Sequence, residues 1–333
     1  MVDATRRTMI KGLGGLAAGA LPLAANPARA RGKQLTVMTD WSPHGMHAGL
    51  FLAVQKNWFK DAGVDVKVLD GKGSAATVQQ AASGQIDVGF AQVSTLPVAR
   101  HSGIDLISIA CWVRAGDNGV MVPVGKGIKG MKDLKGQKVA YAAASTTGPF
   151  LDAFLKDSGV TRSDFHIINV DAGSLISIYT SGAADAVMST VAFFLPIVQK
   201  IRPSKGIMWA DFGLRLPSYG FVVKPSMMDA RDADLRRLVS VQVKTWEYIF
   251  AGHEDEAVDA ILAQRQGQRL DRNVLKGQLV GYMKLFSTPA TKGKKPGWQA
   301  EADWAAALKA MTDAGVIKPG AKPTDFYTNR YIT

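Results

Sequence analysis

Cysteine is almost absent: Cys111 stands alone in a chain of 333 residues. A single thiol excludes an intramolecular disulfide and any cysteine-rich zinc or iron–sulfur site. Acidic residues are also few, 28 Asp and Glu against 40 Lys and Arg, which leaves a formal charge of +12 and a pI near 9.7. That excess puts nucleic acid or an anionic membrane surface among the partners to be weighed. Hydrophobic residues make up 47% and charged residues 20%, so an interior can be filled and wholesale disorder is excluded. The length suits two domains or one large one.

The first thirty residues read as an export signal. Thr5-Arg6-Arg7-Thr8-Met9-Ile10-Lys11 is basic, Gly12 to Ala25 is mildly apolar, and Pro27-Ala28-Arg29-Ala30 offers an A-x-A cleavage site. The arginine pair points to the Tat route. The apolar run is too short and too rich in glycine to serve as a permanent anchor. Cleavage after Ala30 would release a periplasmic protein. The segment carries four basic residues against Asp3, so the mature chain keeps a charge of about +9. Its basic residues are spread out apart from Lys292-Gly293-Lys294-Lys295, with no basic helix and no nucleic-acid module. Nucleic acid drops out as an expected partner.

The mature sequence alternates strand and helix. Leu35–Thr39, Val64–Leu69, Ile86–Ala91 and Leu106–Val113 read as strands, with helices over Gly49–Phe59, Ala75–Ala82 and Ser94–Ser102 between them. The pattern restarts near residues 115–120. Strands follow at Val120–Val124, Lys138–Ala143, Phe165–Val170 and Ala184–Ser189, with helices Pro149–Asp157 and Ser174–Ser181. Tyr219–Val223 reads as a returning strand. Beyond Asp229 helices dominate: Leu235–Ala251, Glu254–Gln264, Asn273–Phe286 and Gln299–Ala314. Successive βαβ units imply largely parallel sheets with helices on their faces.

Asp40-Trp41-Ser42-Pro43-His44-Gly45-Met46-His47, then Ala48-Gly49-Leu50-Phe51-Leu52-Ala53, resembles a known family. The likeness continues through Trp58-Phe59-Lys60-Asp61-Ala62-Gly63-Val64, Gly71-Lys72-Gly73-Ser74, Ala82-Ser83-Gly84-Gln85-Ile86-Asp87 and Lys132-Asp133-Leu134-Lys135-Gly136. The family is that of the thiamine-pyrimidine-synthesis-like solute-binding proteins of ABC importers, with alkanesulfonate- and nitrate-binding proteins as relatives. The resemblance implies an α/β periplasmic-binding-protein fold of type II, with two lobes closing on a solute. Residues 31–115 plus 218–333 would form lobe 1, with the C-terminal helices upon it, and residues 116–217 lobe 2. A small-molecule solute, an ABC permease with its cytoplasmic ATPase and a monomeric state are the implied partners and assembly. No cofactor, metal or catalytic residue is expected. The cysteine-rich motif on which eukaryotic synthase relatives depend is missing.

In a parallel α/β sheet a ligand sits beyond the carboxyl ends of the strands, against helix N-termini. The rule selects Trp41, Ser42, His44, Gly73, Ser74, Gln92 and Ser94 on the first lobe. On the second it selects Ser145, Thr146, Thr147, Gly148, Asp171, Gly173, Ser189 and Thr190. Trp41 either stacks on a planar solute or packs as core. The Ser145–Gly148 hydroxyls either bind the solute or cap a helix. Asp171 could take an amine, and Tyr219 either closes over the solute or packs at the hinge. Cys111, in an apolar strand, reads as an inert core thiol. His44 and His47 form H-x-x-H, incomplete as a metal site without a neighbouring carboxylate or third histidine. For the solute itself, a heteroaromatic such as a thiamine pyrimidine precursor leads. A sulfonate, nitrate or carboxylate is the alternative, with Arg114 the nearest guanidinium to clamp an anion.

Overall fold

The computed structural model describes residues 34–143, 145 and 147–333; the export segment and Thr146 lie outside the described residues. From the N-terminal side come β1 (Leu35–Met38), α1 (Ala48–Gln55), α2 (Trp58–Asp61), β2 (Val66–Leu69), α3 (Ser74–Ser83), β3 (Val88–Gln92), α4 (Leu96–His101) and β4 (Ile107–Cys111). The second run holds β5 (Asn118–Pro123), β6 (Lys138–Tyr141), α5 (Leu151–Asp157), β7 (His166–Asn169), α6 (Leu175–Thr180), β8 (Ala186–Thr190), α7 (Val191–Val198) and β9 (Ser204–Met208). The chain then returns through β10 (Tyr219–Val223) to α8 (Pro225–Ala230), α9 (Asp232–Phe250), α10 (Glu254–Gln264), α11 (Arg272–Met283) and α12 (Glu301–Asp313).

Two five-stranded sheets result, ordered β2-β1-β3-β10-β4 and β7-β6-β8-β5-β9. Each is mainly parallel with one reversed strand: β10 runs antiparallel to β3 and β4, and β5 antiparallel to β8 and β9. Those two strands directly follow the two crossovers between the sheets, residues 112–117 before β5 and 209–218 before β10. The first sheet therefore draws on both ends of the described chain. Its β4 edge also pairs with the C-terminal segment through Ser108–Tyr327 and Cys111–Gly297 bridges.

The structure differs from the sequence reading in three places, and two of the differences have local causes. The helix expected over Gly49–Phe59 breaks at Asn57, whose φ of 58° is left-handed and ends α1 before α2 begins. The α7 segment Val-Ala-Phe-Phe-Leu-Pro-Ile-Val is apolar all round and contains Pro196, so no amphipathic stripe announces it. Four helices were expected to rest on lobe 1. While α9 and α10 do pack on α1, α11 also packs on α7, and α12 reaches α5.

Burial explains why these elements hold. Trp112, Trp246, Phe51, Phe90 and Tyr282 lie in one core around the first sheet, and Trp209, Trp304, Phe150 and Phe154 in another. Cys111 is buried among apolar neighbours, and burial pushes its thiol up to about 12. Asp87 accepts from the Thr36 backbone and hydroxyl, both at 2.8 Å, which fixes it as a sheet tie.

The turn after β2 leaves no room for a side chain. A Cβ on Gly71 would lie 1.9 Å from the Thr39 carbonyl oxygen, and Gly73 has a φ of 126°. Gly71→Ala should therefore destabilise the fold by about 2 kcal/mol or more, read from the urea midpoint at unchanged m-value. An unchanged midpoint would show that the loop simply shifts.

Candidate functional site

A cavity of about 820 Å³ opens where the carboxyl ends of β1, β3 and β8 face one another. One side is built from the loop after β1 and the start of α3, the other from the loop after β6, the end of β8 and α7. Tyr219, at the start of β10, closes the back.

Most of the wall is apolar or aromatic, including Phe150, Ile176, Phe193 and Phe194. Trp41 is 38% exposed and lines this space rather than the core. Lys72 supplies the cavity's one ammonium among the described residues, and no guanidinium reaches it. Arg114 instead donates to the carbonyls of Phe286, Lys295 and Trp298, which clips the C-terminal segment to the first crossover.

At the floor sits a polar cluster. Asp40 Oδ1 accepts from His47 Nε2 at 2.8 Å and from His44 Nε2 at 3.4 Å. The tautomers follow from the backbone. The Met46 N–H donates to His44 Nδ1 and the His44 N–H to His47 Nδ1, both at 3.3 Å. Each Nδ1 must then carry a lone pair, so each Nε2 carries the proton and points it at Asp40. Burial would raise the Asp40 carboxyl, but hydrogen bonds from both histidines outweigh it and hold the group well below the usual carboxylate range. Burial pushes His47 down to about 4, so this imidazole is neutral.

The same cluster answers the H-x-x-H question. Asp40, four residues before His44, is the neighbouring carboxylate that the pair was read as lacking, and all three ligand-type atoms lie within 4.8 Å of one another. The tautomers argue against a cation. A histidine that ligates metal through Nε2 donates from Nδ1, whereas here both Nδ1 atoms face N–H donors. The cluster instead presents a fixed carboxylate. Its Oδ2 has no hydrogen-bond partner among the described residues, and Asp40 lines the cavity.

The selected residues divide by position. Trp41, His44, Gly73, Ser74, Ser145, Gly173, Ser189, Thr190 and Tyr219 line the cavity. Gln92 and Ser94 are buried behind that surface: the Gln92 N–H donates to Ser74 Oγ, the Gln92 amide lies near the Tyr219 hydroxyl, and the Ser94 hydroxyl has no hydrogen-bond partner among the described residues. Ser42 and Asp171 are exposed and are not among the cavity's lining residues, although their neighbours Trp41 and Gly173 are. Thr147 is buried and bonded to Ser145 Oγ at 2.7 Å. Gly148 packs against the Ala143 carbonyl, where a Cβ would sit at 2.0 Å, which makes it a backbone contact. Asp40, Phe193 and Phe194 line the cavity but were not among the selected residues. For Asp40 the strand-end rule applied one residue earlier would have found it.

A model described as NMT1/THI5 like matches residues 44–257. The chain belongs to this family. The formylaminopyrimidine-binding protein of Halalkalibacterium halodurans is 29% identical over 239 residues, 69% of this chain and 70% of that one. A 4-amino-5-hydroxymethyl-2-methylpyrimidine phosphate synthase of Saccharomyces cerevisiae, THI11, is 29% identical over 138 residues, 40% of this chain and 39% of its own. Among solved structures, the periplasmic aliphatic sulphonate binding protein SsuA of Escherichia coli superposes with a TM-score of 0.68 at 13% identity, covering 88% of this chain and 91% of that one. The fold is that of the periplasmic solute-binding proteins.

Proposed function

We propose that this member of the NMT1/THI5-like family is a periplasmic receptor that captures an aminopyrimidine-class solute in the cavity and hands it to an ABC importer. The observation that carries the reading is Asp40. Its carboxylate is ionised, held by the Nε2–H groups of two histidines, and leaves one oxygen without a hydrogen-bond partner among the described residues, in a cavity that the exposed Trp41 also lines. A flat heterocycle bearing N–H donors can stack on the indole and donate to that oxygen. A sulfonate or nitrate would meet a carboxylate and no guanidinium, which weighs against the oxyanion reading. Delivery, export and the division into lobes at 31–115 plus 218–333 and 116–217 belong to the same proposal. A synthase activity is disfavoured because Cys111, the chain's one cysteine, is buried with its thiol pushed up to about 12.

Formylaminopyrimidine at 100 times its dissociation constant should stabilise the mature protein by about 2.7 kcal/mol, seen as a rise in Tm of several degrees. Trp41→Ala should weaken its binding by roughly 10- to 100-fold in calorimetric titration, the loss of about 1–3 kcal/mol of stacking. A Tm raised by sulfonates and unmoved by the pyrimidine would reverse the assignment.

A further inference from the structure

The two crossovers, around residues 112–117 and 209–218, are not the sole links between the cavity's two sides. Gln278 in α11 is 2% exposed and spans them. Its Oε1 accepts from the Gly45 N–H at 3.0 Å, in the loop that carries His44. Its Nε2 donates to the Phe193 carbonyl at 3.0 Å, at the start of α7 on the opposite side. Phe193 in turn sets its ring edge-on to His44 at 5.1 Å, and both line the cavity.

The packing around Gln278 is close enough to make those bonds exacting. A Cβ on Gly45 would lie 2.3 Å from the Leu279 nitrogen, and one on Gly277 would lie 3.0 Å from Pro196 Cβ in α7. Small residues thus bring three backbones together at one amide. Both bonds end on main-chain atoms, so no side-chain rearrangement of a partner can follow a separation of Gly45 from Phe193. An opening of about 1 Å at this point takes one bond beyond hydrogen-bond range.

We propose that Gln278 is a positioning residue that couples the His44 loop to α7 and thereby sets the aperture of the cleft. It makes α11 a third link beside the crossovers. The proposal rests on the reading of this cavity as the solute cleft, but its test needs no solute.

Spin labels on Gln85→Cys and Asp157→Cys would report the distance between the two sides by pulsed electron resonance, since both positions are exposed and neither lines the cavity. Cys111 is buried and stays unlabelled. In this labelled mature protein, Gln278→Leu should give a longer mean distance and a distribution roughly twofold broader than the parent. Gln278→Glu at pH 8 is the milder arm. Its carboxylate still accepts from Gly45 but repels the Phe193 carbonyl, so the same broadening is expected, and this arm decides should the leucine variant not fold. A lowered Tm with a distance distribution that superimposes on the parent's would overturn the proposal and leave Gln278 a packing residue. Formylaminopyrimidine binding, measured separately on the same protein, tests the receptor reading without touching this one.

Discussion

Asp40→Ala should cost the fold about 3–5 kcal/mol, because it strands two buried N–H donors whose tautomers the backbone has fixed. His47 is fully buried and His44 2% exposed, so neither can turn to water. Asp40→Asn separates folding from binding. Its amide oxygen can still accept from both imidazoles, so stability should fall by only about 1–2 kcal/mol. Its amide nitrogen, however, replaces the unbonded carboxylate oxygen at the cavity and turns an acceptor into a donor. Formylaminopyrimidine affinity should then drop roughly 10- to 100-fold, the worth of a hydrogen bond to a charged group. Urea unfolding and calorimetric titration read the two effects independently. Full affinity in the asparagine variant would remove Asp40 from the site. The pH sign also follows. The folded carboxyl lies below its ordinary value, so its stabilisation is present above that value and is lost as pH falls through the acid range.

Much of this architecture was legible because the local rules agreed with the tertiary outcome. Tyr219–Val223 and Glu254–Gln264 were read with the bounds that the structure has; the one is a buried strand and the other a helix whose first turn is acidic. Strand ends pointed to the cavity for the same reason: parallel strands deliver their loops to one edge. The strand β9 left little trace, since Ser-Lys-Gly-Ile-Met reveals a strand only once β5 pairs with it. The site's apolar wall was hidden more deeply. Phe193 and Phe194 come from a helix whose proline and uniform hydrophobicity mask its period. Gln278 bonds a residue 233 positions away, a relation that no window of sequence contains. The His44–His47 pair shows a subtler failure. Both ring nitrogens were open to assignment until the backbone N–H groups of His44 and Met46 were placed, and those two donors decide what the cluster can bind.

Asp117→Asn should make the protein more stable at pH 8 than the parent, by up to about 4 kcal/mol. Asp117 lies at the first crossover, fully buried. Its Oδ1 accepts from Ser218 at the second crossover at 2.8 Å, its carbonyl takes the Val191 N–H that opens α7, and its Oδ2 has no partner within hydrogen-bond geometry among the described residues. Burial pushes the carboxyl up to about 7, and Asp40 nearby raises it further, while the Ser218 and Tyr282 hydroxyls pull the other way. An acid whose folded value exceeds its unfolded one binds its proton more tightly when folded. Stability from this group therefore falls as pH rises from about 4 to about 7, and the full penalty persists above. His47 opposes it over part of that range. Its folded value of about 4 lies below the ordinary 6.5, so its term gains stability as pH rises between them. Subtracting the parent from the Asp117→Asn variant at each pH cancels the histidine term. The difference in unfolding free energy should grow from pH 4 to pH 7 and then level. A difference that stays flat across that range would mean that Asp117 ionises at its ordinary value where it lies, its charge compensated by a group that the Ser218 tie holds in place.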